Sequence, residues 1–234
     1  MKRTLTTGLS LCAMIALSLS TLTHAAPAGA AAFVDAAMNG NRDAVKALLK
    51  EGADVNTTQA DGMTALHWAA QKGDVELAKV LLYASANLKA TTRIGGYTPL
   101  LIASKNGDAA MVAALTEAGA DVNAPTTNGT TPLMLAAAAG RPAAVSALIE
   151  HGANVNAKEA VKGETALTFA AALGRADVIR VLTKHGADVT TTTKAIDLTD
   201  FAKEEAERLA AERAQQGGQG RANAPGGGRG PQGP

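Results

Sequence analysis

DGMTALHWAAQKGD, residues 61–74, is the stretch on which the fold turns. Thr64, Leu66 and His67 run into Ala69-Ala70, and Gly73-Asp74 closes the stretch. A histidine beside a threonine suits either a catalytic group or a recurring piece of scaffold. The chain answers by repeating itself: GGYTPLLIASKNGD (95–108), NGTTPLMLAAAAGR (128–141) and KGETALTFAAALGR (162–175) carry the same pattern. Thr64, Thr98, Thr131 and Thr165 stand 34, 33 and 34 residues apart, and Gly40, Gly73, Gly107, Gly140 and Gly174 keep step. A second series, Gly52-Ala53-Asp54-Val55-Asn56, returns at 119–123, 152–156 and 186–190. Self-similarity at a fixed period near 33 residues means a stacked array of one supersecondary unit.

Each unit can be read from its residues. Thr131-Pro132 opens a first helix, the threonine as cap and the proline in the first turn. Leu133, Ala136 and Ala137 form a small-residue stripe, and Gly140 ends the helix. Ala144, Val145, Leu148 and Ile149 mark a second helix that Gly152 stops. Asn128-Gly129 signals a tight turn in the segment between units. Every full unit keeps 9 residues from Thr to the joining Gly and 12 from there to the Gly-Ala position, so the extra residue of the longer units falls in the projecting finger. Stacked helices cannot change length without misplacing contacts, whereas an exposed loop can.

On these motifs the chain resembles the ankyrin-repeat family over about residues 31–190. The resemblance implies an all-α solenoid of about five helix-turn-helix repeats with hairpin fingers, at 31–60, 61–94, 95–127, 128–161 and 162–190. It also implies a concave face of fingers and first helices that binds other proteins. The first unit lacks the Thr-Pro opening and reads as a cap, while Leu198, Phe201, Ala202, Ala206 and Leu209 mark an amphipathic C-terminal helix over 191–216. That helix is expected to cap the last repeat; binding a partner is the alternative. Residues 217–234 read as a disordered Gly-rich tail.

Composition agrees and excludes. Apolar residues make up 47% and aromatics only 3%, so alanine and leucine must carry the packing, as in close-stacked helices. The formal charge of +1 gives no field for nucleic acid. Residues 1–25 read as a signal peptide, with Lys2-Arg3, the apolar run 8–22 and small residues before Ala26. The run is short for a membrane anchor, and Leu11 before Cys12 argues against a lipoprotein. Cleavage would leave 20 basic against 21 acidic residues and remove the one cysteine, suiting an exported, periplasmic or secreted monomer without a membrane span.

No catalytic, cofactor or metal set emerges. His67 has Leu101, Met134 and Thr168 as counterparts, so its position reads as packing, and in the family this histidine braces the turn beside the threonine. His151 and His185 precede helix-ending glycines, where a cation suits the helix dipole. Asp54, Asp121 and Asp188 recur in one turn position. No phosphate-cradling glycine loop appears in a strand–helix context. The expected role is therefore a non-enzymatic adaptor without cofactors, with an enzyme inhibitor or immunity-type protein, or a ligand or metal activity around His67 or Glu164, as alternatives. Mapped by repeat, the partner-binding residues are expected to be Met63, Gln71 and Lys72; Ile94, Tyr97, Lys105 and Asn106; Thr127, Asn128 and Thr130; and Val161, Glu164 and Leu173. Met63, Ile94, Tyr97 and Val161 are expected to form an exposed apolar ridge with Tyr97 as its anchor, and Trp68 to lie in the core. The second unit departs from the pattern, with Ser85-Ala86-Asn87-Leu88-Lys89 in place of Gly-Ala-Asp-Val-Asn. Either that junction is locally weaker or its turn differs.

Overall fold

A computed structural model describes residues 28–190. The expected leader (1–25), the expected C-terminal helix (191–216) and the expected disordered tail (217–234) lie outside the described residues. Within them run ten helices: α1 (Ala28–Met38), α2 (Arg42–Lys50), α3 (Ala65–Lys72), α4 (Val75–Tyr83), α5 (Pro99–Asn106), α6 (Ala109–Glu117), α7 (Pro132–Ala139), α8 (Pro142–Glu150), α9 (Ala166–Ala172) and α10 (Ala176–Lys184). No strand is formed among them, and one isolated antiparallel bridge joins Thr58 and Thr64 at the base of the first finger. The helices come in five pairs. First helices stack in the order α1, α3, α5, α7, α9, and α4, α6, α8 and α10 stack behind them. This is the all-α solenoid that the period requires.

The repeated threonines act as expected. Thr64, Thr98, Thr131 and Thr165 cap α3, α5, α7 and α9, each side chain accepting the backbone N–H three residues on. Gly73, Gly107 and Gly140 end α3, α5 and α7 in the left-handed conformation. Where the second helices end, Gly52, Gly119, Gly152 and Gly186 all have positive φ, and Ser85 takes the same conformation at φ 66°. The irregular second unit thus keeps the geometry and bears the strain, about 1 kcal/mol for a residue with a Cβ. The turn is not different, and the strain at Ser85 is expected to make this junction the weaker one.

The core is one continuous layer between the two helix rows. Leu81, Leu115 and Leu148 occupy one register on α4, α6 and α8 and are fully buried, each worth about 2 kcal/mol. The last pair is less covered: Leu133 and Ala137 of α7 are buried, while their counterparts Leu167 and Ala171 on α9 are half-buried and exposed. Trp68 is half-buried at the edge of the core and donates its indole N–H to Gln59 Oε1 at 3.0 Å. Ser104 on α5 is a flaw in the layer. Its counterparts are alanines, it is wholly buried, and its hydroxyl has no hydrogen-bond partner. Removing an unsatisfied buried hydroxyl relieves its desolvation cost. Ser104→Ala is therefore expected to raise unfolding stability by about 1 kcal/mol, read as a higher denaturant midpoint at constant m-value.

Candidate functional site

Four fingers project between the helix pairs. The first, 59–63, is closed by Gln59 N–H donating to the Met63 carbonyl at 2.9 Å, and the third, 126–130, by Thr126 N–H to Thr130 at 2.9 Å. The second, 92–97, and the fourth, 159–164, are closed by Thr92 N–H to Tyr97 at 3.0 Å and Glu159 N–H to Glu164 at 2.9 Å. The extra residue of the longer units sits in these two, as the spacing required. In the third finger Gly129 takes positive φ and Asn128 does not, so the Asn-Gly turn is the longer form with glycine at the bulge. Neighbouring fingers are joined through the backbone: Arg93 N–H to Asp61 at 2.7 Å, Thr127 N–H to Gly95 at 3.2 Å and Ala160 N–H to Asn128 at 3.2 Å.

On the face made by the fingers and first helices, a cleft of about 310 Å³ lies between the first two fingers, α3 and α5. Its lining brings together five of the residues expected from sequence: Met63, Gln71, Ile94, Tyr97 and Lys105. Asp61, Thr92 and Ile102 complete it and were not foreseen. Asp61 and Thr92 look like ordinary turn formers, Asp61 accepting the Met63 N–H and Thr92 donating to the Ile94 carbonyl. Only the folded register shows them facing one space.

The expected ridge is corrected in two places. Met63 is 9% exposed and belongs to the core, because the finger closes through its carbonyl and turns its side chain inward. Tyr97 is half-buried against the core, and Lys105 Nζ lies 5.4 Å from its ring centroid, within cation–π range. What projects is Ile94, 86% exposed, and Val161, 61% exposed. The cleft is thus an apolar floor of Met63, Tyr97 and Ile102 under a rim that carries Asp61, Gln71 and Lys105.

The remaining candidates lie elsewhere. Lys72 is exposed at the end of α3. Asn106 is a brace between helices, its amide donating to the carbonyls of Ala70 and Gln71. Thr127 and Asn128 are exposed on the third finger, and Thr130 is half-buried with its N–H donating to Thr126 Oγ1. Glu164 is half-buried on the fourth finger, and Leu173 is 51% exposed after α9. The fourth finger is organised by Glu159, whose carboxylate accepts the backbone N–H groups of Val161, Lys162 and Glu164. Burial works to raise that carboxyl, but the N–H groups of Val161, Lys162, Glu164 and Gly163 together outweigh it and hold it below the ordinary glutamate range.

His67 has both ring nitrogens engaged. Nε2 lies 3.0 Å from the Tyr97 carbonyl and must donate to it. Nδ1 therefore accepts in the neutral ring, from Thr64 N–H at 3.1 Å and the Thr64 hydroxyl at 2.8 Å. The side chain closes the cap of α3 and pins the second finger. Its counterparts do only the first of these, or neither. Met134 Sδ and Thr168 Oγ1 accept the N–H of Thr131 and Thr165, and Leu101 cannot accept at all. The position is more than packing. His151 and His185 donate from Nδ1 to the carbonyls of Ala147 and Val181, 2.8 Å each, at the ends of α8 and α10. Among the described residues no three His, Cys, Asp or Glu side chains are grouped as metal ligands. None of the described helices is long and apolar enough to cross a membrane.

A family model described as ankyrin repeats, in blocks of three copies, matches residues 33–126 and 118–193. The chain belongs to the ankyrin-repeat family. Among curated proteins, this ankyrin stack is 38% identical over 65 residues to human protein phosphatase 1 regulatory subunit 27, covering 28% of this chain and 42% of that one. It is 56% identical over 45 residues to mouse inversin, covering 19% of this chain and 4% of that one. The ankyrin chain therefore spans less than half the length of either relative.

Proposed function

We propose that this protein is a non-enzymatic adaptor that grips a partner protein on the face of its fingers and first helices, with the Ile94–Tyr97 cleft as the anchor point. The observation that carries the reading is the cleft itself. It has an apolar aromatic floor, a rim of mixed charge and an exposed isoleucine at its lip, the make-up of a pocket that receives a side chain. The one histidine at this face has both nitrogens committed to the scaffold, which leaves it no proton-transfer role. One relative's name describes a regulatory subunit, in keeping with attachment to another protein. The signal-peptide pattern of residues 1–25 supports a place of action outside the cytoplasm, and the envelope of a bacterium is the compartment we propose.

The test is a crosslinking pull-down from envelope extract with residues 26–234 as bait. Ile94→Ala is expected to weaken the dominant complex at least fivefold, about 1 kcal/mol, with no change in Tm, because the side chain makes little contact in the free protein. Tyr97→Ala should weaken binding and also lower Tm, since its ring is half-buried. Unchanged capture with both variants would remove the cleft from the interface.

A further inference from the structure

Asparagines clamp the loops of successive repeats. Asn56 Oδ1 accepts the Asn87 N–H at 2.7 Å. Asn123 Oδ1 accepts the Asn154 N–H at 2.8 Å while its amide donates to the Gly152 carbonyl at 3.2 Å. Asn156 does the same to Asp188 N–H at 2.8 Å and the Gly186 carbonyl at 3.1 Å. In the second loop this position is Lys89, which has no carboxamide to offer. Among the described residues, no side chain reaches from the second loop to the Asp121 N–H or Gly119 carbonyl of the third. An open cleft of about 280 Å³ lies at that place, bordered by Leu88, Lys89, Ala120, Asp121 and Pro125. The same loop carries Ser85, the one non-glycine residue with positive φ among those described. A missing clamp, a cleft and a strained turn coincide at one junction of the stack.

We infer that the solenoid bends at the seam between its second and third loops, and that Lys89 is what leaves the seam open. In a repeat array each junction opens with its own local free energy, so removing one clamp localises the motion. The bend sets the spacing between the Ile94–Tyr97 cleft on one side and Thr127 and Asn128 on the other. That consequence rests on the binding reading above; the bend itself does not.

Amide hydrogen exchange on the free protein tests it without any partner. Thr127 N–H and Ala160 N–H each cross from one finger to the next at 3.2 Å, the first over the seam and the second over a clamped junction. Thr127 is expected to exchange at least tenfold faster than Ala160, after correction for intrinsic rates. Lys89→Asn, which restores the carboxamide, should slow Thr127 tenfold or more and leave Ala160 unchanged. Asn123→Lys should move the behaviour to the next junction and speed Ala160. Equal protection of the two amides in the wild-type chain would overturn the inference. So would a Lys89→Asn variant that folds with unaltered Thr127 exchange. Loss of partner binding in Ile94→Ala with no seam motion would sustain the binding reading alone.

Discussion

His67→Leu is expected to destabilise the protein by about 3 kcal/mol at pH 7.5, although leucine fits the volume and stands at the same position of α5 as Leu101. The loss comes from hydrogen bonds. His67 is wholly buried, and its removal leaves the Thr64 N–H without its partner and takes one of two donors from the Tyr97 carbonyl, which keeps the Thr92 N–H. The orphaned buried N–H costs about 1–3 kcal/mol, and the lost bond to the carbonyl about 1 kcal/mol more. The same geometry predicts a pH dependence. Burial pushes the imidazole pKa down, against smaller opposing effects of the Tyr97 and Ala90 backbone and of Asp61. Protonation would place a hydrogen on Nδ1 facing the Thr64 N–H. The unfolded chain binds that proton near its ordinary pKa of 6.5 and the folded chain only at lower pH. Folding is thus favoured above pH 6.5, and this contribution is lost as pH falls from there through the folded value. Urea unfolding of wild type and His67→Leu from pH 7.5 to 5 should show the stability difference shrinking as pH falls. A constant difference would mean that the imidazole is not held neutral by the fold.

Glu159 and Asp74 act in a separate window. Burial raises both carboxyls, and backbone N–H groups, with Arg42 beside Asp74, more than compensate. Their folded values lie below the ordinary ones of 4.5 and 3.8. The stability they give is complete above those values and disappears as pH falls through the depressed ones. The acid response of the chain therefore has a histidine stage and a carboxylate stage.

How far the sequence could be read depends on the range of each interaction. The caps, the glycine stops and the finger lengths are local, so Thr64, Gly73 and the 9- and 12-residue steps reported them directly. The inward turn of Met63 was not legible, because exposure at a finger base depends on which carbonyl closes the finger. Histidine at 67 looked like packing from its counterparts, yet its partner Tyr97 is 30 residues away and belongs to the next unit. The asparagine clamps have the same character. Each joins residues about one repeat apart, so Lys89 read only as a departure from the motif until the fold showed what an asparagine does there. Repetition reveals which positions matter and conceals why, since the reason lies in the neighbouring repeat.

Gly62→Ala is the second large effect expected, about 2–3 kcal/mol. Gly62 has φ 85°, where an L side chain costs about 1–2 kcal/mol. A Cβ there would also lie 2.9 Å from the Thr91 carbonyl oxygen, 3.0 Å from Arg93 N and 3.2 Å from Thr92 Cα. All three are backbone atoms of the second finger or of Thr91 just before it, and backbone cannot rotate aside. The two fingers must part, which loosens the Arg93 N–H bond to Asp61 and the Arg93 Nη1 bond to the Ala60 carbonyl. Gly163→Ala supplies the control. It has φ 69° on the fourth finger, and an added Cβ meets nothing within 4 Å. It should cost only the backbone penalty, about 1 kcal/mol. The difference between the two variants measures contact between fingers, because the conformational penalty is common to both. Since Asp61, Thr92 and Ile94 line one cleft across that contact, Gly62→Ala should also weaken partner capture while Gly163→Ala leaves it intact. Equal destabilisation by the two variants would show that the fingers yield without cost, and that the cleft is not held in shape by the packing of one finger on the next.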